Sequence, residues 1–221
     1  MSIKTVIFDL DGTLADTSKD LIAAANACFV RLGHGAVLDP VADAATAFRG
    51  GRAMLSLGCD RLGLGPEAVD REYPYLLECY GANIDRHTVM YPGAVEAIGR
   101  LRAAGYGVGI CTNKPAALAE TLMTRLGVRD LFASLIGADT LPVRKPDPAP
   151  YVAAVERAGG EVARSLLVGD TITDRDTARA AGVPSLLITF GPDGRKVADL
   201  SPEGLLDRYD DLDAAVARLI G

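Results

Sequence analysis

The stretch "VIFDLDGTLADT", residues 6–17, sets three apolar residues before two aspartates, Asp9 and Asp11, with Gly12 and Thr13 directly behind them. The Val-Ile-Phe run, bounded by turn-forming residues, reads as a short buried strand. Asp9 and Asp11 then fall where that strand ends, and two like charges beside a core need a compensating partner. Outward from this point, from residue 91 onward, short apolar or β-branched runs alternate with helical stretches. That alternation is how βα units feeding a parallel sheet look in sequence. Strands are expected over 5–8, 107–111, 131–136, 165–168 and 185–189, with helices over 93–104, 115–126, 148–158 and 174–181. Several of these helices carry Pro in the first turn and Gly just past the end. The expected fold class is therefore α/β: a doubly wound, mainly parallel, Rossmann-like core sheet with right-handed crossovers.

Residues 15–83 break the alternation. Leu21, Ala25, Cys28, Phe29 and Leu32 recur at helical spacing behind candidate caps at Asp16 and Ser18, and residues 41–57 and 67–80 are also helix-like. They read as an inserted helical cap domain, 15–83, in an α/β catalytic core made of 1–14 and 84–221. Its hinges are expected near 12–18 and 82–92, beside the aspartates, where a lid belongs. No internal repeat or low-complexity tract stands out.

Composition limits what such a protein can do. At 221 residues and 49% hydrophobic, the chain has material for a sizeable core, which argues against disorder. A formal net charge of −6, a pI near 5.0 and the lack of a basic run exclude a nucleic-acid or anionic-membrane surface. Met-Ser-Ile-Lys leads directly into the first strand, Asp9 interrupts any signal-peptide core, and no apolar run nears the roughly 18 residues of a membrane span. A cytoplasmic location is expected. Cys28, Cys59, Cys79 and Cys111 form no CxxC pair, so reduced thiols are expected rather than a disulfide framework or a zinc site.

Ligands of open α/β sheets bind outside the carboxyl ends of the strands. The polar residues at those ends are Asp9 and Asp11 after the first strand, then Thr112, Asn113 and Lys114 after the second. Lys145 follows the third strand, and Asp170 and Asp174 follow the fourth. Parallel neighbouring strands would bring them together. Two carboxylates about 4 Å apart repel by roughly 4 kcal/mol at an effective dielectric constant of about 20, so such a cluster needs protons or a cation. With oxygen donors only, the cation expected is Mg²⁺.

"DLDGT", "TNK", "KPDP" and "GDTITD" in this order resemble the four motifs of the haloacid dehalogenase superfamily, over nearly the whole chain. The runs "YPGAVEAIGRLRAAGYGVGICTNKP" and "LLVGDTITDRDTARAAGVPSLLITFG" are most similar to its phosphoglycolate phosphatase group. The resemblance implies a phosphomonoester hydrolase of a small phosphorylated metabolite, with 2-phosphoglycolate the first choice. It implies Asp9 as a nucleophile that forms an aspartyl-phosphate, and Asp11 as the acid that protonates the leaving alkoxide and later takes a proton from water. By the same resemblance Mg²⁺ lies between the Asp9 carboxylate, the Asp11 carbonyl and Asp170, with Asp174 behind them. Thr112 and Asn113 then take phosphate oxygens at a helix start, and Lys145 neutralises the phosphoryl charge and holds Asp9.

Isolated aspartates at strand ends are ordinarily turn or helix caps, and Asp16, Asp20, Asp147 and Asp176 are read so. His34 and His87 receive no catalytic role. In the insertion, "FRGGR" sets Arg49 and Arg52 about a Gly-Gly pair where related phosphatases carry a specificity loop, so either arginine is a candidate for an anionic end of the substrate. Asp11 disfavours a dehalogenase, whose leaving halide needs no acid. A sugar-phosphate mutase is the nearest enzymatic alternative. A phospho-accepting signalling domain is the alternative outside enzymes, but it leaves the insertion and "GDTITD" unexplained. Monomer and homodimer both fit the sequence.

Overall fold

The computed structural model describes residues 3–221 and divides into two compact units, Met1–Ala15 with Met90–Gly221, and Asp16–Val89. In chain order the elements are β1 (Ile3–Phe8), β2 (Ala15–Asp16), α1 (Ser18–Arg31), α2 (Ala44–Ala47), α3 (Gly51–Leu62), α4 (Pro66–Ala82), β3 (Val89–Met90) and α5 (Ala94–Ala103). They continue as β4 (Gly107–Cys111), α6 (Ala116–Arg125), β5 (Ser134–Ile136), α7 (Ala149–Arg157) and β6 (Gly160–Gly169). The chain then forms α8 (Ile172–Ala181), β7 (Ser185–Ile188), β8 (Gly204–Leu206) and α9 (Leu212–Ile220). The short strands β2 and β3, in the two passages between the units, pair with each other.

The larger unit is built on a six-stranded sheet of order β5-β4-β1-β6-β7-β8 in which every pair is parallel. Strands covered on both faces must be apolar on both, which is why Val6, Ile7 and Phe8 are all buried and why β4 and β7 are buried throughout. Ile7, Cys111, Ile136 and Leu167 pack with Tyr151, Ala154 and Val155 of α7 and Ala178 of α8. Each aliphatic side chain of this size removed from water contributes about 1.5–3 kcal/mol. The Tyr151 hydroxyl is satisfied inside this layer by Ser165 Oγ at 2.6 Å. Alternate residues such as Val6, Phe8 and Val168 point to the other face, and α5 and α9 contact each other as α7 and α8 do. The doubly wound expectation therefore holds.

The differences have local causes. The third strand begins at Ser134 rather than 131 because Arg129–Leu131 forms a 3₁₀ turn. β6 starts earlier, at Gly160, and β8 and α9 extend the unit beyond the expected elements.

The smaller unit is helical. Leu21, Ile22, Ala25, Cys28 and Phe29 form the buried stripe of α1, which packs on α3 and α4. Residues 41–57 are not one helix: Gly50, at φ 96°, adopts a backbone conformation that L side chains rarely take, so α2 stops before it and α3 begins after it. Arg49 and Arg52 thus flank a break between helices.

Asp20 is not the helix cap expected. Its buried carboxylate accepts hydrogen bonds from the His87 and Thr88 amides and the Thr88 hydroxyl, at 2.9–3.1 Å. Those bonds hold residues 87 and 88 within the helical unit, so the division falls at Val89 and Met90 rather than at 83 and 84. The other three behave locally: Asp16 accepts from Ser18 N and Oγ, Asp147 accepts from Ala149 N, and Asp176 pairs with Arg179. All four cysteines are free thiols. Among the described residues, no helix is long and apolar enough to cross a membrane.

Candidate active site

The chain runs from β1 outward to β4 and β5, then returns to place β6 on the other side of β1. The carboxyl ends of β1 and β6 therefore border the crevice where the winding reverses. Phe8 is in register with Val168, and the Asp9 amide donates to the Val168 carbonyl at 2.9 Å. This ladder carries Asp9 and Asp170 to the same sheet edge. Carboxylate oxygens of Asp9, Asp170 and Asp174 lie within 4.8 Å of one another, and all three residues are buried.

Lys145 enters this cluster with its side chain only 2% exposed. Its Nζ donates to Asp174 Oδ1 at 2.6 Å and stands 2.9 Å from Asp9 Oδ1. The second distance pairs the charges, and that buried Asp9 oxygen has no other hydrogen-bond partner. Burial raises the Asp9 pKa to about 6; Lys145 opposes the rise and Asp174 adds to it. Burial, with Asp174 and Asp9 behind it, likewise pushes Asp170 well above the carboxylate range. For Lys145, burial favours the neutral amine, but Asp174 and Asp9 outweigh it and raise the pKa.

Asp174 has two duties. Its Oδ2 accepts from the Asp170 and Thr171 amides and the Thr171 hydroxyl, completing a capping box at the start of α8, while Oδ1 holds Lys145. Its lone pairs are occupied by the protein. Asp170 Oδ1 accepts from Thr13 Oγ1 at 2.6 Å. Three buried acids face one lysine, so ionising them all leaves negative charge over, and Asp9 keeps an oxygen with no donor beyond Lys145. An oxygen-seeking cation would fit this donor set, held by Asp9 and Asp170, since the oxygens of Asp174 are taken by protein donors.

After β4, the Thr112 amide donates to the Ile136 carbonyl at 2.9 Å, and the Thr112 hydroxyl accepts from the Lys114 amide at 3.2 Å. Asn113 Nδ2 donates to the Lys145 carbonyl at 3.0 Å, so its side chain ties the second motif to the third. The first free amide of α6, that of Ala116, is taken by Asp139 Oδ1 at 2.7 Å. Any anion met here would rest on the loop around Thr112 rather than on that amide. Lys114 Nζ binds both carboxylate oxygens of Asp11, at 2.8 and 3.0 Å.

Lys114 was read among the polar residues at the strand ends but assigned no role, and Thr13 and Asp139 were not singled out. Lys114 and Thr13 lie inside "TNK" and "DLDGT", which was the one signal available. Arg49 and Arg52 are exposed in the helical unit, where Arg52 pairs with Asp70 at 2.5 Å and lies over the Tyr73 ring.

Gly137 sets how closely α6 approaches β5. A Cβ there would meet the Ala116 backbone N at 2.4 Å and Cα at 2.5 Å, and backbone cannot swing aside. Gly137→Ala is expected to cost about 1–3 kcal/mol in urea unfolding. By shifting the loop that carries Thr112 it should also lower kcat/KM by up to about a hundredfold. Wild-type kinetics in this variant would show that the loop does not position the reaction.

A parallel, doubly wound sheet with buried acids and a lysine at its switch point defines an α/β enzyme with its chemistry at the strand ends. The model of the haloacid dehalogenase-like hydrolases matches residues 3–182, and the chain belongs to that family. Among curated proteins it is 38% identical to the phosphoglycolate phosphatase of Mesorhizobium japonicum, covering 100% of this chain and 98% of that one. It is 36% identical to the phosphoglycolate phosphatase of Agrobacterium fabrum, covering 92% and 88%. A crystal structure of a predicted phosphoglycolate phosphatase from Haemophilus somnus 129pt superposes with a TM-score of 0.84 at 24% identity, over 97% of this chain and 98% of that one. At that identity the likeness is one of fold.

Proposed function

We propose that the protein is a Mg²⁺-dependent phosphomonoester hydrolase that works through an aspartyl-phosphate, with 2-phosphoglycolate as its substrate. The observation that carries the reading is Asp9 Oδ1, a buried carboxylate oxygen beside Lys145 with no other hydrogen-bond partner, at the winding reversal of the sheet. Such an oxygen keeps its lone pairs for bonding. The substrate name rests on the relatives named phosphoglycolate phosphatase that match along the whole chain.

Asp9 attacks phosphorus in line, the P–O bond to the leaving alkoxide breaks, and Asp11 gives that alkoxide its proton. Asp11, now ionised, takes a proton from the water that attacks the aspartyl-phosphate, which releases phosphate and restores Asp9. Lys145 offsets charge on the phosphoryl oxygens and keeps Asp9 in place, while Thr112 and Asn113 line the phosphate side. The Asp9 and Asp170 carboxylates and the Asp11 carbonyl would hold Mg²⁺, with Asp174 fixing Lys145 behind them. When bound, the ion supplies charge neutralisation for nucleophile and phosphoryl group. Substrate choice is assigned to the helical insertion, proposed as a cap, with Arg49 and Arg52 its candidate contacts.

The test is kcat/KM with Mg²⁺ for 2-phosphoglycolate against sugar phosphates, nucleotides, pyrophosphate and acyl phosphates. A preference of about a hundredfold, roughly 2.7 kcal/mol of transition-state discrimination, is expected. A peak on another compound would remove the substrate name, and phosphate returned to a sugar rather than to water would make the enzyme a mutase.

A further inference from the structure

Each acid of "DLD" has its own lysine. Asp9 is held by Lys145, from the loop after β5, and Asp11 by Lys114, from the loop after β4. The Lys114 side chain is 4% exposed, and its ammonium straddles both Asp11 oxygens, at 2.8 and 3.0 Å. Its backbone is fixed on both sides: the amide donates to Thr112 Oγ1 at 3.2 Å, and the carbonyl accepts from Ala138 N at 2.9 Å. Phe8 and Ile110 are in register on the adjacent strands β1 and β4, so the two residues leave neighbouring strand ends. The point from which the ammonium reaches Asp11 is thus set by the sheet, and the same loop carries Thr112.

We propose that Lys114 is the positioning residue for the proton carrier, aiming the Asp11 carboxyl at the leaving-group oxygen in register with the phosphate bound at Thr112. This rests on the reading of Asp11 as the acid. An aspartate without such a partner samples several rotamers, whereas one tied to a buried, backbone-fixed ammonium has its plane defined. The ammonium, straddling both oxygens, holds the Asp11 carboxyl in one plane throughout the reaction.

A purely structural ion pair would not distinguish substrates by their leaving group. The experiment compares 2-phosphoglycolate, whose alkoxide needs a proton to depart, with p-nitrophenyl phosphate, whose phenolate does not. Kcat and KM are measured for wild type, Lys114→Met, Lys114→Gln and Asp11→Asn, with folding checked by thermal unfolding. Lys114→Met is expected to lower kcat on 2-phosphoglycolate at least about 30-fold more than on p-nitrophenyl phosphate, with KM little changed. Lys114→Gln, which keeps an uncharged amide donor on a side chain one bond shorter, should fall between it and wild type. Asp11→Asn should show at least the same selective loss. Equal losses on both substrates in the lysine variants, beside a selective loss in Asp11→Asn, would overturn the proposal. Equal losses in Asp11→Asn itself would instead overturn the proton-carrier reading. If the Met variant does not fold, the Gln variant decides: a smaller loss that is still selective for 2-phosphoglycolate supports the proposal, and equal losses on both substrates overturn it.

Discussion

Asp9→Asn is expected to abolish turnover and, without divalent cations, to make the protein more stable. The amide is nearly isosteric with the carboxylate, and Lys145 keeps Asp174 at 2.6 Å, so the fold has no reason to change. If Asp9 is the proposed nucleophile, an amide in its place removes covalent catalysis, and a loss of about 10⁴-fold or more in kcat is expected. The gain in stability follows from the raised pKa. Burial places Asp9 at about 6 against a usual value of 3.8, so the folded state holds the proton more tightly than the unfolded chain does. Ionising Asp9 then opposes folding, and the wild type loses stability as pH rises from about 4 to about 6. At pH 7 the variant escapes a cost of about 1–3 kcal/mol, and below pH 4 the difference disappears. Added Mg²⁺ should reverse the order by stabilising the wild type more. Activity above about one per cent of wild type would remove Asp9 as the nucleophile, and equal stability at pH 7 would mean that the acids are compensated in another way.

Lys145→Met has the second large effect, with the opposite sign on folding. The ammonium lies between Asp174 and Asp9, its side chain 2% exposed, and the thioether leaves three buried acids without a cation. Breaking a buried pair in this way costs about 3–5 kcal/mol. On the proposed role of Lys145 at the phosphoryl group, a further drop of about 10³-fold in kcat is expected. Combining Lys145→Met with Asp9→Asn separates the two effects: the double variant should recover part of the stability and none of the activity. A Lys145→Met enzyme with an unchanged melting temperature would show that the acids are already neutral in the folded protein. Wild-type kcat would show that the lysine serves folding alone.

The strands that place this site were legible because they are buried on both faces. Val6, Ile7 and Phe8, or Leu166, Leu167 and Val168, leave little else for the run to be. β8 was not, since a three-residue Gly-Leu-Leu edge strand has no period to detect, and β2 and β3 are shorter still. Residues 41–57 misled because the apolar spacing continues across Gly50, whose φ interrupts the helix without interrupting the pattern. Asp9, Asp11, Lys145, Asp170 and Asp174 were visible as an ordered set of polar residues behind strands. Which of them pair was not, even for Lys114, which stands in the same set. Lys114 meets Asp11 across 103 residues, and Asp20 meets Thr88 across 68, and no local pattern encodes a contact of that span.

Asp20 has an implication for the whole helical segment. By gathering the amides of residues 87 and 88, it makes the helical segment fasten its own exit to its own entrance. A segment clasped in this way asks little of its host beyond two adjacent chain ends. Changes of length within the segment would then leave the ends of β1 and the sheet's acids where they are.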